Sequence, residues 1–184
     1  MIVLASASPR RIALFKMAGF EFTVLPADID EDINETDPVK MVAELSAKKA
    51  KAVQERVLPS MMIIGADTTV YIDGKILGKP ASEQDAFGML KLLQGRSHTV
   101  YTGVTVLKAA HEETFVESTA VTMSPLSDEE IWAYIATGEP MDKAGAYAIQ
   151  DKGALLIEKI DGDFYNVVGL PLCRLNRKIK NFEA

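Results

Sequence analysis

Ile2-Val3-Leu4-Ala5-Ser6-Ala7-Ser8-Pro9-Arg10-Arg11 opens the chain and decides how the rest of it is read. Its apolar beginning has the pattern of a short buried strand, and Ile12, Leu14, Phe15 and Ala18 follow at the spacing of one helix face. Ser8 is a good N-cap, and Pro9 falls at the first helical position, where a missing N–H costs nothing. The chain is therefore expected to turn sharply from strand to helix. The N–H groups of that first turn, the positive end of the helix dipole and two guanidinium forks then lie together. Such a combination favours an anion such as phosphate. A capped helix with two solvated arginines is the plainer alternative, and this run alone does not separate the two.

Gly19 ends the helix, and residues 20–25 alternate as a second strand. An acidic stretch follows over residues 27–32, where Asp28, Asp30, Glu31 and Asp32 repel one another unless a divalent cation or a Lys/Arg cluster lies nearby. Taken alone, it reads as a solvated acidic turn. Asp37-Pro38 opens a long helix with Val39, Val42, Leu45, Ala50 and Val53 at helical spacing. Of its lysines Lys48, Lys49 and Lys51, most are expected in solvent, and one facing the phosphate site would be functional. Met61-Met62-Ile63-Ile64 reads as a buried strand running into Gly65-Ala66-Asp67-Thr68. Ligands of α/β proteins sit beyond the carboxyl ends of strands. Asp67 is thus a candidate metal ligand or general base, with a turn aspartate bonded to backbone amides as the alternative.

Composition limits the choice of function. The chain has 184 residues, 48% hydrophobic and 25% charged, with a net charge of −6, which suits a globular domain and argues against a broad nucleic-acid surface. A small anion in a local positive pocket is compatible with that charge. No apolar run has the length of a membrane span, and the N-terminus lacks the basic segment of a signal peptide. Cys173 is the single cysteine, so no internal disulfide is expected; among Leu170, Pro171, Leu172 and Leu175 it reads as a buried structural thiol.

Further along, Asp73-Gly74 is a hairpin signal, and Gly78-Lys79-Pro80 ends the returning strand with Lys79 near its tip. Ser82 caps a helix with Ala86, Met89, Leu90 and Leu93 on its apolar face, which stops at Gly95. His98 is expected in a loop, as an acid, a base, a phosphate donor or simply a hydrogen-bonded spacer. Strands are expected over residues 99–106, 114–123 and 155–160, with a polar turn over 108–114. Ser127-Asp128-Glu129-Glu130 is a capping sequence for a short helix that ends at Gly138. Residues 138–150 carry two glycines, two carboxylates and a lysine among small residues and read as a shaped loop. Gln150, at its end, offers both a donor and an acceptor, as a reader of a base edge must. Residues 161–171 read as a second loop, and a last helix over residues 171–179 turns Leu172, Leu175 and Ile179 inward.

Six of these motifs, in order, resemble the Maf family of nucleotide pyrophosphatases across almost the whole chain. They are Ser6-Ala7-Ser8-Pro9-Arg10-Arg11, Gly65-Ala66-Asp67-Thr68, Gly78-Lys79-Pro80, Gly95-Arg96-Ser97-His98, Gly138-Glu139-Pro140 with Asp142-Lys143-Ala144-Gly145, and Asn166-Val167-Val168-Gly169-Leu170-Pro171. The resemblance implies one domain over residues 1–184. Its implied fold is α/β: an elongated mixed β-sheet with flanking helices and a two-lobed cleft, like inosine triphosphate pyrophosphatases. It implies hydrolysis of a nucleoside triphosphate to the monophosphate and pyrophosphate as a house-cleaning activity. It further implies a divalent metal cation (Mg²⁺ or Mn²⁺), a cytoplasmic location and a homodimer, with no nucleic-acid or membrane partner.

Residue by residue, the resemblance makes Asp67 the catalytic carboxylate and, with Glu31, a metal ligand. It assigns Ser6, Arg11, Lys49 and Lys79 to the phosphates; Asp30 and Lys48 are the neighbours to which the Glu31 and Lys49 assignments would shift. Arg10, Thr68 and Gln150 resemble the set of members that act on dTTP and UTP, with modified pyrimidines as further substrates. The family's link to septum formation implies the competing reading, a nucleotide-binding regulator of cell division without essential catalysis.

Overall fold

A computed structural model describes residues 1–31 and 33–183; Asp32, one of the acidic-stretch carboxylates, lies outside the described residues. The elements are β1 (Ile2–Leu4), α1 (Pro9–Met17), β2 (Phe22–Val24), α2 (Pro38–Gln54), β3 (Met62–Ile72), β4 (Lys75–Leu77), α3 (Glu83–Leu93), β5 (Ser97–Lys108), β6 (His111–Met123), α4 (Asp128–Ile135), β7 (Ile157–Asp161), α5 (Phe164–Val168) and α6 (Leu172–Glu183). The seven strands form one sheet in the order β2-β1-β3-β5-β6-β7, with β4 paired to β3. β1 runs parallel to β2 and β3, whereas β3/β4 and β6/β7 are antiparallel. The sheet is thus mixed and carries helices, the α/β architecture expected from sequence.

Local chemistry sets most element boundaries. Ser8, Asp37, Ser82 and Ser127 each accept a backbone N–H of the following helix, and Ser127 with Glu130 completes a capping box. The β3–β4 hairpin turns through Asp73 and Gly74, both at positive φ, as a primed turn requires.

The chain divides into two compact units. The first comprises Met1–Thr68, Thr102–Glu117 and the segment from Gly169 onward. Val3, Ala5, Ala50, Val53, Ile63 and Leu107 pack together in its core. Here α2 lies against the sheet with almost no space to spare. A Cβ at Gly65 would sit 2.2 Å from the Ser46 carbonyl oxygen, and one at Gly103 would sit 2.2 Å from that of Val42. Two glycines on neighbouring strands therefore let the helix backbone touch the sheet backbone. The second unit comprises Thr69–Tyr101 and Ser118–Val168. Its core gathers Val70, Val100, Val121 and Met123 from the strands, Leu90 and Leu93 from α3, and Ile131 and Ile135 from α4.

Several expectations are corrected. On α1 the buried residues are Arg11, Leu14 and Phe15, while Ala18 is an exposed cap residue. Val39 is exposed, because it falls in the first turn of α2, away from the stripe through Val42, Leu45, Lys49 and Val53. β6 begins at His111, so the turn after β5 is shorter than the polar residues there suggested. Residues 151–156 form a 3₁₀ turn, and β7 starts only at Ile157. The segment read as a second loop contains α5. Cys173 is exposed, since it follows Leu172 on α6 and points away from the Leu172, Leu175 and Ile179 stripe.

The close seat of α2 is testable. Gly103→Ala should lower unfolding stability by about 1–3 kcal/mol, the range for overpacking, measured by urea denaturation. A change below about 0.5 kcal/mol, the level of a neutral surface substitution, would mean that the helix is not held this close.

Candidate active site

The first unit brings most of the sequence-predicted residues together. The loop after β1 delivers Ser6, α1 delivers Arg11, β3 carries Asp67 and Thr68, and α2 carries Lys49; Ser6, Arg11, Lys49 and Asp67 are all buried. The Lys49 ammonium lies 2.6 Å from Asp67 Oδ1 and 2.8 Å from Glu31 Oε1. Lys48, one residue earlier, pairs with Glu44 along the solvent side of α2. Lys49 and Glu31 therefore meet at Asp67, which lies in the middle of β3 and not beyond a strand ending at Ile64 as the sequence suggested, while Lys48 pairs elsewhere. A signal for this existed in the sequence: Lys49 stands seven residues after Val42 and four before Val53, on the apolar stripe.

The Arg11 guanidinium is committed to the protein. Nε donates to the Gly169 carbonyl at 2.9 Å, and Nη1 to the Ala66 carbonyl at 2.9 Å and to Ser6 Oγ at 3.4 Å. Nη2 donates to Thr68 Oγ1 at 3.0 Å, and Thr68 Oγ1 also lies 2.9 Å from Thr102 Oγ1. Burial pushes Arg11 below its ordinary range; the negative charge of Asp67 works against that shift. The fork holds the loop after β1, the backbone of β3 beside Asp67 and the approach to α6 at fixed positions. Gly169 adopts φ +119, a conformation that favours glycine, as it presents its carbonyl to Arg11.

Thr102 and the Gly169 carbonyl were not singled out from sequence. A hydroxyl bond between residues 34 positions apart leaves no periodic trace. Arg10 sits half-buried on α1 in this unit. Lys79 and Gln150 belong to the second unit: Lys79 is exposed just after β4, and Gln150 is half-buried before the turn Asp151–Leu156.

Glu31 and Asp67 both aim a carboxylate oxygen at one cationic atom, the Lys49 nitrogen. Two such oxygens suit a hard divalent cation, which keeps waters and takes its remaining ligands from substrate phosphates. Among the described residues, no three His, Cys, Asp or Glu side chains gather at one point.

His98 lies inside β5, not in a loop, and is buried in the second unit. Its Nε2 is 2.6 Å from the Tyr147 hydroxyl, and its Nδ1 has no hydrogen-bond partner among the described residues. Burial pushes the imidazole down to about 4 and the Tyr147 phenol up. A neutral ring bonded to a buried phenol is a core spacer, the plainest of the roles read from sequence.

Comparison with known proteins adds to this geometry. The family profile described as "Maf-like protein" matches residues 1–182. A dTTP/UTP pyrophosphatase of Thermosipho melanesiensis is 52% identical over 95% of this chain and 93% of its own length. Proteins with the same name from Geobacillus sp. and Thermococcus onnurineus are 49% and 52% identical, over 97% and 94% of this chain and 96% and 92% of their own. Among solved structures, a HAM1 protein from Coxiella burnetii superposes with a TM-score of 0.45 at 15% identity, covering 66% of this chain and 72% of that one.

The buried His98 gives stability a pH signature. Its folded value of about 4 lies below the ordinary 6.5, so the unfolded chain binds the proton first. The stabilisation is complete above pH 6.5 and is lost as pH falls towards about 4. Its total is on the order of 3 kcal/mol. Urea unfolding of the wild type against His98→Gln should show a slope smaller by nearly one proton across that window in the variant. Equal slopes would remove His98 as the source.

Proposed function

The chain belongs to the Maf-like protein family, and from that membership we propose that it hydrolyses dTTP and UTP to the monophosphate and pyrophosphate. The observation that carries this reading is the Asp67–Lys49–Glu31 cluster on β3, just past the stretch Met62–Ile64 that pairs with β1, two carboxylates sharing one ammonium. Phosphoryl transfer needs both positive charge on the phosphates and a positioned water.

In this reading Lys49 offers the triphosphate a positive charge from a fixed point. Ser6 and the N-terminal turn of α1 add a hydroxyl and backbone N–H groups to phosphate oxygens. Arg11 contributes its charge from behind, while its bonds hold Ser6 and Thr68 in place. Asp67 accepts a hydrogen bond from the attacking water and orients it in line with the α-phosphorus. The water oxygen forms the new P–O bond, the α–β anhydride bond breaks, pyrophosphate leaves, and the water's proton passes to solvent by way of Asp67. Glu31 and Asp67 would hold a divalent cation of the Mg²⁺ or Mn²⁺ kind, whose contribution is to neutralise phosphate charge. Lys79 is assigned to the phosphates, and Arg10, Thr68 and Gln150 to nucleotide selection. Modified pyrimidine triphosphates, a homodimer and a cytoplasmic location complete the proposal. No helix of the described residues is long and apolar enough to cross a membrane.

Asp67→Asn should reduce pyrophosphate release from dTTP by about 10²-fold or more, the scale of a positioned base. Nucleotide binding, read by calorimetry on the same variant, should persist, while the thermal midpoint should fall, because the buried Lys49 ammonium loses its carboxylate partner. Near-normal turnover would remove Asp67 from the chemistry. Orthophosphate instead of pyrophosphate as the wild-type product would replace the proposed reaction with that of a simple phosphatase.

A further inference from the structure

The segment from Gly138 to Gly153, within the second unit, is constrained far more tightly than its small residues suggest. Ala146 and Asp151 hold φ of +60 and +55, values uncommon for residues with a side chain, and they bracket residues 147–150. The Tyr147 hydroxyl is tied to His98, and the Ala148 N–H donates to the Tyr134 hydroxyl at 3.1 Å. Gly153 comes so near that a Cβ there would sit 2.1 Å from the Ala148 carbonyl oxygen. These contacts fix where Gln150, the last of residues 147–150, stands.

Gln150 occupies the N-cap position of the 3₁₀ turn Asp151–Leu156, yet its side chain makes no capping bond. The turn's first N–H groups still need acceptors. Glu139 supplies them from 13 and 14 residues earlier in the chain: Lys152 N–H donates to Oε1 at 3.3 Å and Gly153 N–H to Oε2 at 3.2 Å. These are the second and third residues of the turn, whose N–H groups a cap residue ordinarily serves. A carboxylate does this better than an amide, because the bonds are charge-assisted.

We propose that Glu139 is a positioning residue for substrate selectivity: by capping the turn in place of Gln150, it leaves the Gln150 amide to bond the edge of the nucleotide base. The proposal rests on the reading of Gln150 as a base-contacting residue. Without Glu139, the Gln150 amide would fold back onto the orphaned N–H groups and be withdrawn from the base.

The test is a set of variants, Glu139→Ala, Gln150→Ala and the double variant. Each is assayed for kcat and KM with dTTP, UTP, CTP and GTP, and its amide exchange is followed by NMR. In Glu139→Ala the exchange of the Lys152 and Gly153 amides should quicken. The dTTP-over-CTP preference in kcat/KM should fall at least about tenfold, the scale of one lost charge-assisted bond, mostly through KM. The double variant should be no less selective than Gln150→Ala. Should Glu139→Ala fail to fold, Glu139→Gln should show the same changes in smaller degree, since an amide oxygen is a weaker acceptor. If Gln150→Ala shifts the preference and the Glu139 variants do not, the proposal is overturned while the base-reading role of Gln150 stands. If Gln150→Ala itself leaves the preference unchanged, that role fails and the proposal fails with it.

Discussion

The approach of α2 to the sheet is the constraint on which the first unit depends. Lys49 has to bring an ammonium out of water to the middle of β3, and a buried unpaired ammonium costs several kcal/mol. That cost is met only if Asp67 lies within bonding distance, so the separation of helix and strand must be right to a fraction of an ångström. Gly65 and Gly103 set the separation by removing the side chains that would hold the backbones apart. Sliding along the sheet is prevented by another device. Ser46 Oγ bonds Thr105 Oγ1 at 2.9 Å, and Thr105 Oγ1 bonds Thr114 Oγ1 at 2.8 Å, a chain of hydroxyls from α2 through β5 to β6. A helix moved by one turn would break that chain and strand the lysine charge together.

Asp67 is consequently held twice. Its side chain is fixed by Lys49, and the carbonyl of the residue before it is fixed by Arg11. Arg11 suits this task and lysine would not. A guanidinium donates in several directions from one plane, so a single side chain ties Ser6, Ala66, Thr68 and Gly169 to one another. The bond to Gly169 closes a separation of 158 residues in sequence. Arg11 thereby fixes the frame within which Lys49 and Asp67 meet.

Legibility from sequence followed the range of the interactions. Caps and turns are local, so Ser8, Asp37, Ser82 and Ser127 marked their helices, and Asp73-Gly74 marked its hairpin. The family motifs located Asp67 and Arg11, but residue type disguised what Arg11 does: arginine suggests solvent or phosphate, and here it bonds backbone. Cys173 failed for a related reason. Apolar neighbours in sequence suggested burial, whereas on a helix the adjacent residue points elsewhere. His98 was misplaced because Gly95-Arg96-Ser97 looked like a loop, while its partner Tyr147 lies 49 residues on. Glu139 stood in a family motif and a small-residue stretch with no role attached, since its acceptor role depends on a turn that begins after it.

The two arms of the Lys49 cluster differ in a way that bears on how a substrate enters. The side chains of Lys49 and Asp67 are 10% and 12% exposed, whereas that of Glu31 is 54% exposed. An ion pair with one partner largely in water contributes about 0–1 kcal/mol, because solvent competes for the same charge. The buried pair has no such competitor, and breaking it strands two charges. An incoming polyanion or cation therefore exchanges with the Glu31 arm at small cost and leaves the Asp67 arm intact. Residues 27–31, which carry Glu31, belong to no helix or strand. Rigidity is thus placed where the reacting geometry must persist, and exchangeability where charge must be admitted.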